Sequence, residues 1–133
     1  MLALAYVICE RRRLGEAGAQ GVGPLPVNVH QTGGWHAEAR FLIPDADELQ
    51  ALLHAANVAD RPHPAQMSVQ VSADLLFEDG DITGETWLTR TDLSALLAHA
   101  APDMHDRLCA WEAFARALET TGHETRCIVW FIR

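Results

Sequence analysis

The sequence predicts an α+β fold, in which an antiparallel-rich sheet of five to six strands packs with three helices as a two-layer sandwich. Several segments alternate apolar and polar residues with the period of a strand, and three later segments carry apolar residues at helical spacing. No linker or repeat divides the 133 residues, of which 49% are hydrophobic and 21% charged. We therefore expect one domain over residues 1–133, with the element order β-β-β-α-β-β-α-α-β.

The first third of the chain predicts three strands. The continuous apolar run at residues 2–9 is typical of a strand that is covered on both faces. Residues 25–30 alternate after a glycine-rich connection, and Pro26 marks an edge strand or a strand start. A hairpin turn at residues 31–34 then leads into a third alternating strand at residues 35–43.

The middle of the chain predicts a helix and then a fourth strand. Asp45 is positioned to cap a helix in which Glu48 completes a capping box, and the apolar stripe is Leu49, Leu52, Leu53 and Ala56. Residues 67–77 alternate so regularly that we expect an antiparallel strand there, beside the third strand. Its inward set is Met67, Val69, Val71, Ala73, Leu75 and Phe77.

The last third predicts a return strand, two helices and a final strand. After an acidic turn, residues 82–90 can return as a short strand, and Thr91 or Asp92 caps the next helix. Pro102 breaks that helix, Asp103 caps a longer one, and Gly122 ends it. The apolar residues 126–132 resemble the first strand in composition, so the two termini are expected to pair or lie close at the sheet's centre.

The charge is acidic and unevenly distributed. The formal net charge is −8, and all ten basic residues other than histidine are arginine. Residues 45–106 hold 12 acids against two arginines, a charge of −10, which leaves +2 for the rest of the chain. This charge argues against direct binding of nucleic acid or of an anionic membrane. The absence of lysine excludes Schiff-base chemistry and a Walker-type phosphate loop.

The cysteines and the N-terminus indicate a cytoplasmic protein. Cys9, Cys109 and Cys127 are widely spaced among apolar residues, which predicts reduced and buried thiols. The apolar run at the N-terminus precedes its charges, the reverse of a secretory signal, and it is too short to span a membrane.

Two metal patterns fail on spacing, and we expect no metal or cofactor. His105 and Cys109 share a helix face, but His123 and Cys127 straddle a helix end and a strand, where roughly 13 Å separates them. The acidic turn beginning at Glu78 lacks the ligand spacing of an EF-hand. A cysteine nucleophile is also disfavoured, because Cys9 and Cys127 lie within apolar strands.

Two kinds of functional site remain open. Small acidic domains without catalytic motifs are often binders, and immunity proteins and phage-encoded inhibitors share this size and charge. The first hypothesis is therefore a non-enzymatic protein-binding module, such as an inhibitor, that engages a basic surface of a partner protein. Its expected partner-binding residues are Glu78, Asp79, Asp81, Glu85, Trp87 and Asp92.

The alternatives use the sheet. The polar faces of the second and third predicted strands carry a candidate site for a small enzyme or ligand binder, with Gln70, Ser72 and Asp74 on the same sheet face. Its residues are His30, His36, Glu38 and Arg40. An open sheet face or edge could instead pair with a second copy and make the protein a self-associating subunit, such as a homodimer.

Overall fold

Four strands form one antiparallel sheet in the computed structural model, which describes residues 1–15 and 32–133. The strands are β1 (Leu4–Arg13), β2 (His36–Ile43), β3 (Ile82–Leu88) and β4 (His123–Ile132), in the order β2-β1-β4-β3. The helices are α1 (Ala46–Ala55), α2 (Val69–Leu76), α3 (Arg90–Leu96) and α4 (Pro102–Thr120), with a 3-10 turn at Leu97–His99. The α+β class is confirmed, while the described part has four strands and four helices instead of five to six and three.

The first and last strands form the centre of the sheet, as the sequence predicted. Strands β1 and β4 pair over ten residues each, from Leu4 opposite Ile132 to Arg13 opposite His123. Every residue of β4 from Arg126 onwards is buried, because helices cover both faces of this strand. The predicted strand at residues 25–30 lies outside the described residues.

Helices α1, α3 and α4 cover one face of the sheet. The sheet contributes the side chains that alternate inward along β1 and β4, including Val7 and Val129. The helices contribute an apolar stripe each, and all of these residues are buried: Leu49, Leu53, Leu93, Leu96, Met104, Leu108 and Trp111. The stripe predicted for α1 is confirmed: Leu49, Leu52 and Leu53 are buried, and Ala56 at the end of the helix is partly buried.

Helix α2 lies on the opposite face, where the sequence predicted no helix. Val71 and Leu75 pack there on Ile8, Ile128 and other residues of the central strands. The sheet is therefore covered on both sides, which explains why residues 4–9 of β1 and 127–132 of β4 are apolar on both faces.

The strand predicted at residues 67–77 is wrong, because these residues form α2. The Ser68 hydroxyl accepts a hydrogen bond from the Val71 amide at 3.2 Å and caps the helix. Met67, Val71 and Leu75 belong to the alternating set but are also spaced by four, so they share one helix face. These residues fit both the period of two of a strand and the four-residue repeat of a helix, and the Ser68 cap is the local feature that favours the helix.

Helix α1 begins after Asp45 as predicted, but the capping details of three predicted helix starts need correction. The Asp45 side chain makes no capping hydrogen bond, and no capping box forms with Glu48. Helix α3 is capped by Thr89, two residues before the predicted Thr91 and three before Asp92. Pro102 is the first residue of α4 and Ala101 is its N-cap, so the predicted cap at Asp103 is wrong; the preceding 3-10 turn already ends at His99. Proline suits the first helical position because the amide it lacks would have no partner there.

Two of the three predictions for the cysteines are confirmed. Cys9 and Cys127 are buried opposite each other in β1 and β4, whereas Cys109 is exposed on α4. A hydrogen bond with Cys9, followed by burial, raises the pKa of the Cys127 thiol well above its ordinary value. No helix among residues 1–15 and 32–133 has the length and hydropathy of a membrane-spanning segment.

Candidate protein-binding surface

The acidic turn between α2 and β3 is held in a defined conformation. The Gly80 amide donates to the Glu78 carboxylate at 2.9 Å, and the Arg133 amide donates to the Asp81 carbonyl at 3.0 Å. A Cβ at Gly80 would lie 2.5 Å from the Ile132 Cγ2, so only glycine allows the turn to approach β4 this closely. The carboxylates of Glu78, Asp79 and Asp81 are therefore presented from a fixed backbone.

These three carboxylates have no cationic partner among the described residues. Most other carboxylates in this part of the chain form an ion pair with arginine or histidine, at N–O distances from under 2.5 Å up to 4.0 Å. Those without such a pair are Asp47, Glu48, Glu78, Asp79, Asp81, Asp103 and Asp106. The turn thus concentrates three uncompensated negative charges within four residues.

The other predicted partner-binding residues lie along and beyond β3, and they already have partners. Glu85 lies 3.4 Å from the His63 Nδ1, and the Arg61 guanidinium stands 5.6 Å from the centre of the Trp87 ring. Arg61 also binds Asp92 at 2.6 Å. Arg61 therefore partly neutralises the charge of Asp92, whereas His63 can balance Glu85 only when its imidazole is protonated.

Asp92 is also part of a helix cap. Its carboxylate accepts a hydrogen bond from the Thr89 amide at 2.9 Å, which completes a capping box. Burial by itself would raise the pKa of the Asp92 carboxyl, but the bonds from Arg61 and Thr89 outweigh burial and lower that pKa. This side chain has a structural role in joining α3 to the loop that carries Arg61.

Two large apolar side chains lie directly beside the acidic turn. Leu76 and Phe77 end α2, and each is 77% exposed. The exposure of Phe77 was not expected from the sequence, because a strand at residues 67–77 would bury this ring. Two features of the sequence could have revealed the outward face of this helix: the four-residue spacing of Met67, Val71 and Leu75, and the capping residue Ser68.

The alternative ligand site does not assemble from the residues predicted for it. His36 lines a cavity of about 230 Å³, but Glu38 pairs with Arg11 at 2.7 Å, and Arg40 pairs with Asp74 at 3.3 Å. The register of β1 and β2 shifts at Cys9 and Glu10, so Glu38 and Arg40 have different surroundings. His30 lies outside the described residues.

A buried ion pair lies beside this cavity and fixes the start of α2. Glu10 is fully buried and accepts hydrogen bonds from the Arg126 Nε at 2.8 Å and from the Ser68 amide at 2.6 Å. Arg126 also donates to the Gln66 carbonyl, and its guanidinium stacks 3.8 Å from the centre of the Trp35 ring. Burial lowers the pKa of Arg126, and the Glu10 charge opposes that change.

The Cys/His pairs do not meet. The His105 Nδ1 lies 3.6 Å from the Cys109 Sγ on the exposed face of α4, whereas Cys127 is buried in the sheet. Within residues 1–15 and 32–133, no group of three or more His, Cys, Asp or Glu side chains is arranged to hold a metal ion.

Comparison with known proteins gives no further guide to the site. No protein-family model matches the chain, and neither a curated protein nor a solved structure does. The function must therefore be inferred from the geometry of the molecule itself.

Proposed function

We propose that this protein is a non-enzymatic, cytoplasmic binding module that engages a basic surface of a partner protein and inhibits it by occupying that surface. The observation that carries the proposal is the acidic turn, whose carboxylates at Glu78, Asp79 and Asp81 have no cationic partner among the described residues. Elsewhere in the described chain, arginine lies within 4.0 Å of most carboxylates. Three unpaired charges on a rigid turn favour a positively charged partner and accelerate encounter with it.

The turn also favours affinity because it needs little ordering on binding. Gly80 packs on Ile132, and hydrogen bonds fix the backbone on both sides of it. A preformed surface avoids the entropy cost of immobilising a flexible loop. The acids of this turn are therefore favoured over Glu85 and Asp92 as the centre of the contact.

The test is capture of a partner from an extract of the source cells, followed by affinity measurement with the purified partner. Affinity should fall steeply with salt, because the contact is made between exposed charges. Asp79→Arg with Asp81→Arg replaces two attractive contacts by repulsive ones. Since exposed pairs contribute about 0.2–1 kcal/mol each, we expect a loss of about 1–3 kcal/mol, roughly 5- to 150-fold in Kd.

A matched control makes the same change of charge elsewhere. Asp103→Arg with Asp106→Arg alters the start of α4, where both carboxylates are likewise without an ion pair among the described residues. This control should affect affinity only weakly and through the long-range field. An equal loss in both double variants would show that net charge matters and the acidic turn does not. A partner that binds independently of salt would contradict the proposed function.

A further inference from the structure

Helix α2 is apolar on both sides. Val71 and Leu75 face the sheet, and Val71 is fully buried. On the outer side, Val69 is 58% exposed, and Leu76 and Phe77 are 77% exposed. A surface helix normally turns polar residues outward, whereas the outer side of α2 carries a stripe of exposed apolar residues between the polar Gln70 and Ser72. The outer side of α2 therefore has the chemistry of an interface.

The apolar side chains and the acidic turn form one continuous surface. Phe77 is the C-cap of α2, and its amide donates a hydrogen bond to the Ala73 carbonyl at 3.0 Å. Glu78 follows it directly in the chain. Because the turn is anchored on Ile132, the apolar pair and the carboxylates keep a fixed relation. We name Leu76, Phe77, Glu78, Asp79 and Asp81 the α2 tip.

We infer that the α2 tip binds an amphipathic basic segment of a partner protein, in which apolar side chains are bordered by arginine or lysine. The inference rests on the proposed function and identifies the chemistry of the partner surface. Charge complementarity selects this occupant: a purely apolar segment would leave three carboxylates partly desolvated without cations, and an anionic membrane would be repelled. A purely basic segment would leave Leu76 and Phe77 in water.

The two halves of the surface have separate roles. The carboxylates attract the partner from a distance, so they control the association rate and its dependence on salt. Leu76 and Phe77 are removed from water only in the complex, so they control the dissociation rate. This division gives a kinetic signature that binding by charge alone does not produce.

The probe is a synthetic 18-residue peptide of leucine and arginine with all leucines on one helical face. A control peptide has the same composition, with leucines distributed around the helix. Binding is measured by titration calorimetry and by stopped-flow fluorescence at two salt concentrations. We expect the amphipathic peptide to bind the wild-type protein about 30-fold more tightly than the control peptide, which corresponds to about 2 kcal/mol.

Two variants separate the halves of the surface. Leu76→Ser with Phe77→Ser should abolish the preference between the peptides and raise the dissociation rate, while the salt dependence remains. Asp79→Asn with Asp81→Asn should weaken the binding of both peptides and reduce the dependence of that binding on salt. Phe114→Ser, which removes an aromatic ring that is 36% exposed on α4, is the matched control and should change neither property.

The outcomes distinguish this inference from the proposed function. If binding depends on Asp79 and Asp81 but not on Leu76 and Phe77, the proposed function stands and the inference is overturned. If neither pair of substitutions weakens binding, both fail. Sedimentation equilibrium supplies the remaining test: a dimer of the wild-type protein that is lost in the Leu76→Ser, Phe77→Ser variant would assign the surface to a second copy and overturn the inference.

Discussion

Replacing Glu10 by glutamine should cost about 3–5 kcal/mol in the free energy of unfolding. Glu10 is fully buried, and only 9% of the Arg126 side chain is exposed, so solvent screens this ion pair little. Breaking a buried pair leaves an uncompensated charge, which is the origin of the large cost. The glutamine amide also confronts either the Arg126 Nε or the Ser68 amide with a second donor.

The matched control is Glu38→Gln, which makes the same change in a pair that solvent reaches. Glu38 and Arg11 are 32% and 31% exposed, so that substitution should cost no more than about 1 kcal/mol. Stability is measured by urea unfolding followed by circular dichroism, with the slope compared to detect a change in unfolding cooperativity. A third variant, Glu10→Met with Arg126→Met, should lose less stability than Glu10→Gln because no charge remains buried.

The Glu10→Gln substitution should also destabilise α2 more than the other helices. Because the Ser68 amide binds Glu10, the first turn of α2 depends on this carboxylate for its position on the sheet. Hydrogen exchange of the Val71 and Ser72 amides should accelerate more than exchange in α4. Equal costs for Glu10→Gln and Glu38→Gln, with unchanged exchange in α2, would refute the reasoning.

Three further predictions concern single positions. Asp92→Asn should cost about 1–2 kcal/mol in the free energy of unfolding at neutral pH. The folded state lowers the pKa of Asp92 from 3.8, so this stabilisation is present above pH 3.8 and is lost as the pH falls through the lowered pKa. Urea unfolding at pH 7 and pH 3 should therefore show that the stability difference between wild type and variant shrinks at the lower pH. Gly84→Ala should cost about 1–3 kcal/mol in thermal unfolding, since φ is +63° and a Cβ would lie 2.8 Å from the Phe131 ring. Cys109 alone should react with Ellman's reagent in the native protein, with all three thiols reacting in urea; three fast native reactions would contradict the burial.

The class of fold could be predicted because strong local patterns determined it. The buried runs that became β1 and β4 contain few polar residues, and such runs fit the centre of a sheet that is covered on both faces. The stripes of α1 and α4 repeat over several turns and admit only one period. Composition was equally decisive for chemistry, because a chain without lysine cannot form a Schiff base through a lysine side chain.

The parts that failed depended on contacts between distant residues. Helix α2 is short, its inward residues fit two periods, and its cap is supported by Glu10, 58 residues earlier. The exposure of Phe77 was missed for the same reason, because the predicted strand placed this ring in the core. The register shift between β1 and β2, which separates Glu38 from Arg40, has no local signature in the sequence. The predicted acids lie where expected along the chain, but only the fold reveals which have partners.

The position of β1 and β4 at the centre of the sheet has a consequence for how the chain is made. Leu4 pairs with Ile132, so the central strands are separated by nearly the whole described chain. During synthesis, β1 leaves the ribosome long before β4 has been made. Residues such as Val7 and Ile8 therefore stay partly exposed until β4 is available to bury them. Strands β1 and β2 can pair early, but completing the four-stranded sheet needs a long loop closure, which predicts slow folding and exposed apolar surface on the nascent chain until β4 emerges.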